Sequence, residues 1–340
     1  MVGSRNPGDV VAVQRGRRPC YSQRQRGIGV HDLLGALAGI GDTPLVQLRN
    51  VTPASGARIV AKLEWANPTG SMKDRMARTA IEGAIRDGRL HPGVTVVEYT
   101  AGTTGISLAF VCAALGYPLH IVFSDAFSVE KRRTMEAFGA VVEAVPSDGG
   151  QITEALIKSM IARAGEIAAQ PDHWWCDQLN NRDAITGYLA LGEEIWAQTN
   201  GRVDVFVHAV GTAHSLHGVG QVLRSRNPEI RIVAVEPAES AVLSGGPTGS
   251  NRIEGIGIGF VPPLWEPDQV DDILAVSADE AMAMARRLAR EEGLFAGTSS
   301  GANVVAAMRI AEQLGPDSTV ATILCDSGLR YLSTDLYRTA

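Results

Sequence analysis

Lys73 stands at a place where a cation is electrostatically disfavoured. It lies in the segment NPTGSMKDR (67–75), at the first turn of a predicted helix. The positive field at a helix N-terminus lowers the pKa of a nearby amine. An amine that is unprotonated near neutral pH is a nucleophile and can form a Schiff base with a carbonyl cofactor. The alternative interpretation is a surface lysine that pairs with Asp74 or another acid.

Two further turns join a predicted strand to a predicted helix and carry small, hydroxylated residues. The first is TAGTTG (100–105), and the second is GTAHS (211–215). Consecutive backbone N–H groups at a helix start hold a carboxylate or a phosphate, and a phosphate is the natural ligand of the second turn. The alternative for both turns is an ordinary helix cap. His214 by itself is more typical of a solvent-facing or internally bonded histidine than of a residue that binds a ligand.

The fourth turn, GTSSGAN (297–303), places two hydroxyls before a predicted helix. A neutral hydroxyl of Ser299 or Ser300 facing a pyridine nitrogen would leave that nitrogen unprotonated. The alternative is a pair of N-cap serines. Asp326, Ser327 and Gly328 follow the last predicted strand and are expected at the same sheet edge. The histidines are too scattered to indicate a metal site, and no Ser-His-Asp spacing is present.

The elements that must position these turns alternate along the chain. Nearly continuous apolar runs of strand length are separated by segments with helical period, a pattern typical of parallel sheets covered by helices on both faces. The fold class is therefore predicted as doubly wound α/β. The predicted strands are 59–65, 95–100, 119–124, 141–145, 203–211, 231–237 and 319–326. The predicted helices are 71–86, 104–115, 129–138, 151–168, 185–198, 215–224, 278–292 and 301–313.

The composition and charge of the chain favour some classes of protein and exclude others. The chain has 340 residues, 45% of them hydrophobic and 20% charged, which predicts a folded protein of two α/β domains. Its formal charge is −6 although its first 30 residues hold six arginines, so nucleic acid is not expected as a partner. Four cysteines without C-x-x-C spacing indicate a cytoplasmic protein. The apolar run from Ile106 to Leu119 is too short for a membrane span.

The four turns, in this order, resemble those of the cysteine synthase (O-acetylserine sulfhydrylase) family of fold-type II pyridoxal-phosphate enzymes. The resemblance runs from about Ile40 to Thr334. It also includes GDTPLVQL (41–48), EKRRTMEAFGA (130–140), RIEGIGIGF (252–260) and DSGLRYLST (326–334). The resemblance implies pyridoxal 5′-phosphate as the cofactor, bound between two doubly wound domains.

The resemblance also implies a role for each turn. Lys73 would bind the cofactor covalently and later move the α-proton, and Ser299 would face the pyridine nitrogen. Thr103 would donate to the 3′ oxygen of the cofactor. The phosphate would lie in a cup of Gly211, Thr212, Ala213, His214 and Ser215. The substrate carboxylate would be held by Thr100, Ala101, Gly102, Thr103, Thr104 and Gln178.

This sequence departs from the family pattern in both loops. Ala101 and Thr103 replace Ser and Asn in the family's TSGNTG, and Ala213 and His214 replace two glycines in GTGGT. The resemblance as a whole still implies β-replacement on O-acetylserine or O-phosphoserine with sulfide or another nucleophile. A cysteine desulfhydrase or another β-substituted alanine synthase is the alternative. A third hypothesis is a non-catalytic protein that works as a partner of another enzyme.

The resemblance further implies a domain division and partners. Residues 31–71 and 180–340 would form a larger domain, residues 72–179 a smaller domain that closes over substrate, and residues 1–30 a disordered basic tail. The family is typically homodimeric. Some members bind the C-terminal tail of serine acetyltransferase in the active site, so that enzyme is a further expected partner.

Overall fold

A six-stranded sheet forms the larger half of the fold. The computed structural model describes residues 35–338. The strand order is β1-β2-β10-β7-β8-β9, in which β1 pairs antiparallel with β2 and the other neighbouring strands are parallel. Its strands are β1 (Leu45–Gln47), β2 (Arg58–Leu63), β7 (Val205–Ala209), β8 (Arg231–Pro237), β9 (Asp272–Val276) and β10 (Thr319–Leu324).

A four-stranded parallel sheet forms the other half. Its strand order is β5-β4-β3-β6. Because parallel neighbours need a crossover, a helix usually lies between consecutive strands. Its strands are β3 (Thr95–Tyr99), β4 (Leu119–Ser124), β5 (Val141–Val145) and β6 (His173–Trp175).

Helices cover the sheets and supply the N-termini that face the strand ends. The helix α2 is apolar all round, as a helix buried in the core must be. The α-helices are α1 (Lys73–Arg86), α2 (Thr103–Leu115), α3 (Val129–Ala137), α4 (Glu154–Ala168), α5 (Asp183–Thr186), α6 (Leu189–Gln198), α7 (His214–Arg226), α8 (Ala278–Arg287) and α9 (Thr298–Ala311). A π-helical turn, Leu288–Glu292, follows α8.

The strands of the larger sheet are buried on both faces. Along β7, Val205 and Val207 pack into one apolar cluster, whereas Phe206 packs into another. Successive side chains of a strand point to opposite faces, so these two clusters are the two layers of core around one sheet. Val96 and Ile121 belong to a third cluster around the smaller sheet. The predicted doubly wound α/β fold is confirmed.

The structure differs from the predicted elements in three ways. The short strands β1, β6 and β9 were not predicted. The predicted helix 185–198 is divided into α5 and α6, and between them Gly187 packs so closely that a Cβ would lie 2.6 Å from the carbonyl oxygen of Arg75. Finally, α9 begins at Thr298 rather than at 301, so Ser299 lies within the first turn of the helix and not before it.

The strands of the two sheets come from different ranges of the chain, and the division into two domains stays a prediction. All four strands of the smaller sheet lie within 72–179, and the other six lie within 31–71 and 180–340. Leu37, however, packs with the core of the smaller sheet. The closing movement stays a prediction, and the predicted tail, 1–30, lies outside the described residues. No helix within residues 35–338 is long and apolar enough to cross a membrane.

Candidate active site

The candidate site is a cleft at the carboxyl ends of strands from both sheets. The loops after β3, β7 and β10 line it, together with Lys73. Helix N-termini meet at these strand ends, which is why open α/β sheets bind ligands there. The cleft has an inner part beside Lys73 and an outer part beside Gln178.

Lys73 is the first residue of α1 and lines both parts of the cleft. Its backbone N–H donates to the hydroxyl of Ser71 at 3.1 Å, which holds the start of the helix. Burial lowers the pKa of the Lys73 amine, although Cys325 and Asp326 act in the opposite direction. The predicted reactive lysine therefore lies at the centre of the cleft with the pKa shift that a nucleophile needs.

Lys73 does not pair with Asp74. The Asp74 carboxylate accepts from the backbone N–H of Thr69 at 2.8 Å and from the Thr69 hydroxyl at 2.5 Å. The side chain of Asp74 is fully buried in this arrangement. The interpretation of Lys73 as a surface lysine paired with Asp74 is therefore wrong.

The chain has four lysines, and Lys73 differs from the other three. Within residues 35–338, where all four lie, its Nζ forms no hydrogen bond and no salt bridge. The others each contact a carboxylate: Lys62 with Glu194, Lys131 with Glu254, and Lys158 with Glu154. Lys73 is thus the one lysine whose amine is left to react.

The turn after β7 leads into the uncapped N-terminus of α7. Gly211, Thr212 and Ser215 line the inner cleft. No side chain of the described chain caps α7, so its first N–H groups are left for a ligand. A Cβ at Gly211 would lie 2.3 Å from the carbonyl oxygen of Gly255, so the turn requires glycine at that position.

Two residues of the predicted phosphate cup, Ala213 and His214, differ from the other three because their side chains do not line the described cleft. Ala213 has φ 70° and ψ −14°, a left-handed conformation that glycine adopts far more easily. His214 is fully buried, and its Nδ1 lies 2.8 Å from the hydroxyl of Thr212. Burial lowers the pKa of His214 to about 3, so the imidazole is neutral at physiological pH. Neither side chain lines the cleft as the structure describes it.

Ser299 lines the inner cleft beside Cys325 and Asp326. The neighbouring Ser300 is fully buried, and its hydroxyl accepts the backbone N–H of Cys325 at 2.8 Å. Of the two serines, Ser299 is therefore the one whose hydroxyl is available to a ligand. Its assignment to the pyridine nitrogen stays a prediction.

The loop between β3 and α2 is held in shape by its own hydroxyls. The Thr100 hydroxyl oxygen accepts from the N–H groups of Gly102 and Gly105, at 2.9 and 3.3 Å. Thr104 donates to the Gln178 side chain at 2.8 Å. Five of the six predicted substrate residues line the outer cleft: Thr100, Ala101, Thr103, Thr104 and Gln178. Gly102 packs tightly against the Lys131 side chain, since a Cβ there would lie 2.4 Å from it.

The sequence reasoning assigned no role to an ion pair at the outer cleft. Lys131, in α3, contacts the carboxylate of Glu254, and both residues line the outer cleft. The Lys131 side chain is 1% exposed and its Nζ lies 4.6 Å from the centre of the Tyr331 ring. Both residues stand in motifs that carry the family resemblance, but no spacing rule relates two residues so far apart in sequence.

A buried carboxyl group behind the substrate loop was also missed. Glu98 is fully buried in β3 and accepts from the backbone N–H groups of Gln178 and Tyr99, at 2.8 and 2.9 Å. Burial raises the pKa of Glu98 to about 8, and these N–H donors oppose the shift. Glu98 thereby fixes the backbone that carries Gln178.

The donors of the inner cleft fit pyridoxal phosphate. An uncapped helix N-terminus stands ready for the phosphate, and a lysine amine without a partner stands ready for the aldehyde. The hydroxyl of Ser299 is available to the ring nitrogen. The fold and the site together define an enzyme that binds an organic phosphate at a helix N-terminus and a carbonyl group at a lysine.

Comparison with known proteins gives the family. The family model described as pyridoxal-phosphate dependent enzyme matches residues 36–326. The chain belongs to this family, and its cofactor is pyridoxal phosphate. A cysteine synthase of Staphylococcus aureus (strain Mu50 / ATCC 700699) is 44% identical over 300 residues, which cover 88% of this chain and 95% of that protein.

Two solved structures are also similar to this chain. The O-acetyl serine sulfhydrylase isoform 3 of Entamoeba histolytica has a TM-score of 0.83 and 40% sequence identity, covering 95% of this chain and 96% of that one. A hydrogen sulfide-producing enzyme of Fusobacterium nucleatum has a TM-score of 0.81 and 34% identity, covering 87% of this chain and 99% of that one.

Proposed function

We propose that this enzyme catalyses β-replacement on an activated serine, with sulfide as the nucleophile, and so makes cysteine. The observation that carries the proposal is the convergence of Lys73, Ser299, the substrate loop and the N-terminus of α7 on one cleft. The similarity to cysteine synthases over most of the chain supports the same reaction.

In the proposed reaction, Lys73, the substrate loop and Ser299 each have a separate role. When bound, pyridoxal phosphate withdraws electrons from the substrate Cα and makes its proton acidic. The Nζ of Lys73 removes that proton, and burial favours this role because it lowers the pKa of the amine. The substrate loop holds the α-carboxylate through its backbone N–H groups and the Thr103 hydroxyl, and Ser299 keeps the ring nitrogen unprotonated. The leaving group departs from Cβ, and sulfide then bonds to the same carbon.

The charges of the outer cleft favour O-acetylserine over O-phosphoserine. Apart from Lys73, the cation that lines the described outer cleft is Lys131, and Glu254 neutralises it. A phosphate ester brings about two negative charges that would need unpaired cations, whereas an acetyl ester needs none. We therefore place O-acetylserine first among the activated serines.

The elimination of sulfide from cysteine is the second candidate, because the similar enzyme of Fusobacterium nucleatum is described as hydrogen sulfide-producing. The experiment compares initial rates of the purified holoenzyme with O-acetylserine plus sulfide, O-phosphoserine plus sulfide, and cysteine alone. Faster cysteine formation from O-acetylserine supports the proposal. Faster release of sulfide and pyruvate from cysteine would replace it with a desulfhydrase.

The Lys73→Ala variant is the control and should lose both reactions. If neither reaction occurs with the wild-type holoenzyme, the proposal is contradicted, and the result favours the hypothesis of a non-catalytic partner protein.

We also propose a homodimer, the tail of a serine acetyltransferase as a partner, and a cytoplasmic location. The first two proposals rest on the family resemblance, and light scattering and a titration with the acetyltransferase C-terminal peptide test them. The location is supported by three buried free thiols, Cys112, Cys176 and Cys325, which persist in a reducing compartment.

A further inference from the structure

A buried histidine lies directly beneath the phosphate cup. His208, in β7, is 1% exposed, and its Nε2 lies 2.8 Å from the hydroxyl oxygen of Ser215. Its other ring nitrogen, Nδ1, lies 3.2 Å from the side-chain nitrogen of Asn303 in α9. The three side chains thus form a chain of hydrogen bonds that ends at the cup.

The direction of these hydrogen bonds follows from the backbone. The N–H of Ala209 donates to the Asn303 side-chain oxygen at 2.7 Å, and the carbonyl of Ile323 accepts from the Asn303 side-chain nitrogen at 2.7 Å. A backbone N–H can only donate and a carbonyl can only accept, so the orientation of the amide is fixed. Two acceptors remain for the second hydrogen of the Asn303 nitrogen, Nδ1 of His208 at 3.2 Å and the Sγ of Cys325 at 3.5 Å. Sulfur is the weaker acceptor, so the geometry assigns this hydrogen to Nδ1 of His208.

A ring nitrogen that accepts from an amide carries no proton. The proton of the neutral His208 ring is consequently on Nε2, which donates to the Ser215 oxygen. The ring stays neutral because burial lowers the pKa of His208 to about 3.

The Ser215 hydroxyl must then donate its own hydrogen elsewhere. Residues 35–338 provide no acceptor for it, and Ser215 lines the inner cleft in the first turn of α7. We propose that Asn303 and His208 are positioning residues, which fix Ser215 as a hydrogen-bond donor to the phosphate of the cofactor. This inference holds whichever reaction the enzyme catalyses, because it concerns the cofactor alone.

The tautomer is tested first, on the holoenzyme labelled with ¹⁵N-histidine. The His208 signals, assigned with the His208→Gln variant, should show a protonated Nε2 and an unprotonated Nδ1 between pH 6 and 8. A protonated Nδ1 would overturn the inference, because Nε2 would then accept from Ser215. This measurement needs no variant to fold except the one used for assignment.

The effect on the phosphate is tested with Ser215→Ala and Asn303→Asp. An aspartic acid at this position donates its single proton to the carbonyl of Ile323, so it has none left for Nδ1 and must accept from it. Nδ1 then carries the ring proton, which reverses the chain of hydrogen bonds. Both variants should shift the ³¹P resonance of the bound cofactor and speed its loss in dialysis about tenfold or more, while the visible absorption band of the ring is unchanged. The double variant should lose no more than either single variant.

Asn181→Asp is the matched control. Asn181 is also buried, and it also donates to a backbone carbonyl, that of Cys176, at 2.9 Å. This variant should lower the thermal midpoint in the same way as Asn303→Asp but leave the ³¹P resonance where it is. An unchanged ³¹P resonance in Ser215→Ala, or an equal shift in Asn181→Asp, would reduce His208 and Asn303 to ordinary core residues.

Discussion

At the scale of single residues, Ala213 combines a strained backbone with a place in the phosphate cup. A left-handed conformation costs an L-residue about 1 to 2 kcal/mol, whereas glycine loses only part of that in additional chain entropy. Ala213→Gly should therefore stabilise the folded holoenzyme by about 0.5 to 1 kcal/mol. The thermal midpoint at a fixed cofactor concentration measures the change.

Ala162→Gly is the control for Ala213→Gly. Ala162 lies on the exposed face of α4, where the backbone is helical. Glycine there should destabilise the protein by about 1 kcal/mol. Midpoints that fall in both variants would show that Ala213 is not strained.

Glu98 should make stability depend on pH. The folded protein keeps the Glu98 proton up to a pKa of about 8, whereas a carboxyl in the unfolded chain loses it near its ordinary pKa of 4.5. The contribution of Glu98 is therefore fully present below the ordinary pKa and is lost as the pH rises towards 8, with a slope of about 1.4 kcal/mol per pH unit. Glu98→Gln removes this slope.

The two proteins are compared by urea unfolding between pH 5 and 8. The variant should be less stable at the acidic end, since an amide cannot accept both backbone N–H groups equally well, and the difference should shrink as the pH rises. Stability curves that run parallel over this range would contradict a raised pKa in Glu98.

At the scale of elements, the Lys131–Glu254 pair joins α3 to the loop that follows β8. Removing Lys131 leaves Glu254 as an unpaired charge beside the site of the substrate carboxylate. Lys131→Met should raise the KM for the amino-acid substrate about tenfold, which corresponds to about 1.4 kcal/mol. Steady-state kinetics with saturating sulfide measure it.

The double variant Lys131→Met with Glu254→Gln should recover part of that loss, because it removes the repelling carboxylate. Lys158→Met is the control, since Lys158 pairs with Glu154 on the surface of α4 and is 65% exposed. A double variant as impaired as Lys131→Met alone would show that repulsion by Glu254 is not the cause.

The elements themselves were largely predictable, because their signals are local. Apolar runs indicate the buried strands, and a local capping box of Ser277 and Glu280 marks the start of α8. The break at Gly187 was not predictable, because the close approach to Arg75 is a tertiary contact. The strands β1 and β6 have three residues each, too few for a periodic pattern to emerge.

At the site, residues within one turn were predictable and pairs between turns were not. Lys73 and Ser299 stand in turns whose sequence announces a helix start. The relation between His208 and Asn303 depends on the alignment of β7 with α9 across the sheet, which no spacing in the chain reveals. The contact between Lys131 and Glu254 likewise depends on how two distant segments of the chain pack together.

At the scale of the whole molecule, the site exists because parallel strands of both sheets end at one cleft. Each sheet supplies a helix N-terminus to that cleft, and we propose the first for the substrate carboxylate and the second for the cofactor phosphate. Lys73 lies between them, at the start of α1, whose residues pack into the cores of both sheets. The arrangement predicts that the aldehyde of the cofactor is held at Lys73 and nowhere else.

Peptide mapping after borohydride reduction tests that claim most directly. Reduction of the yellow holoenzyme makes the bond between cofactor and lysine permanent, and mass spectrometry of the digest then locates it among the four lysines. We predict a pyridoxyl group on the peptide that contains Lys73 and on no other. A pyridoxyl group on Lys62, Lys131 or Lys158, or a holoenzyme in which no lysine is modified, would contradict the assignment of the site.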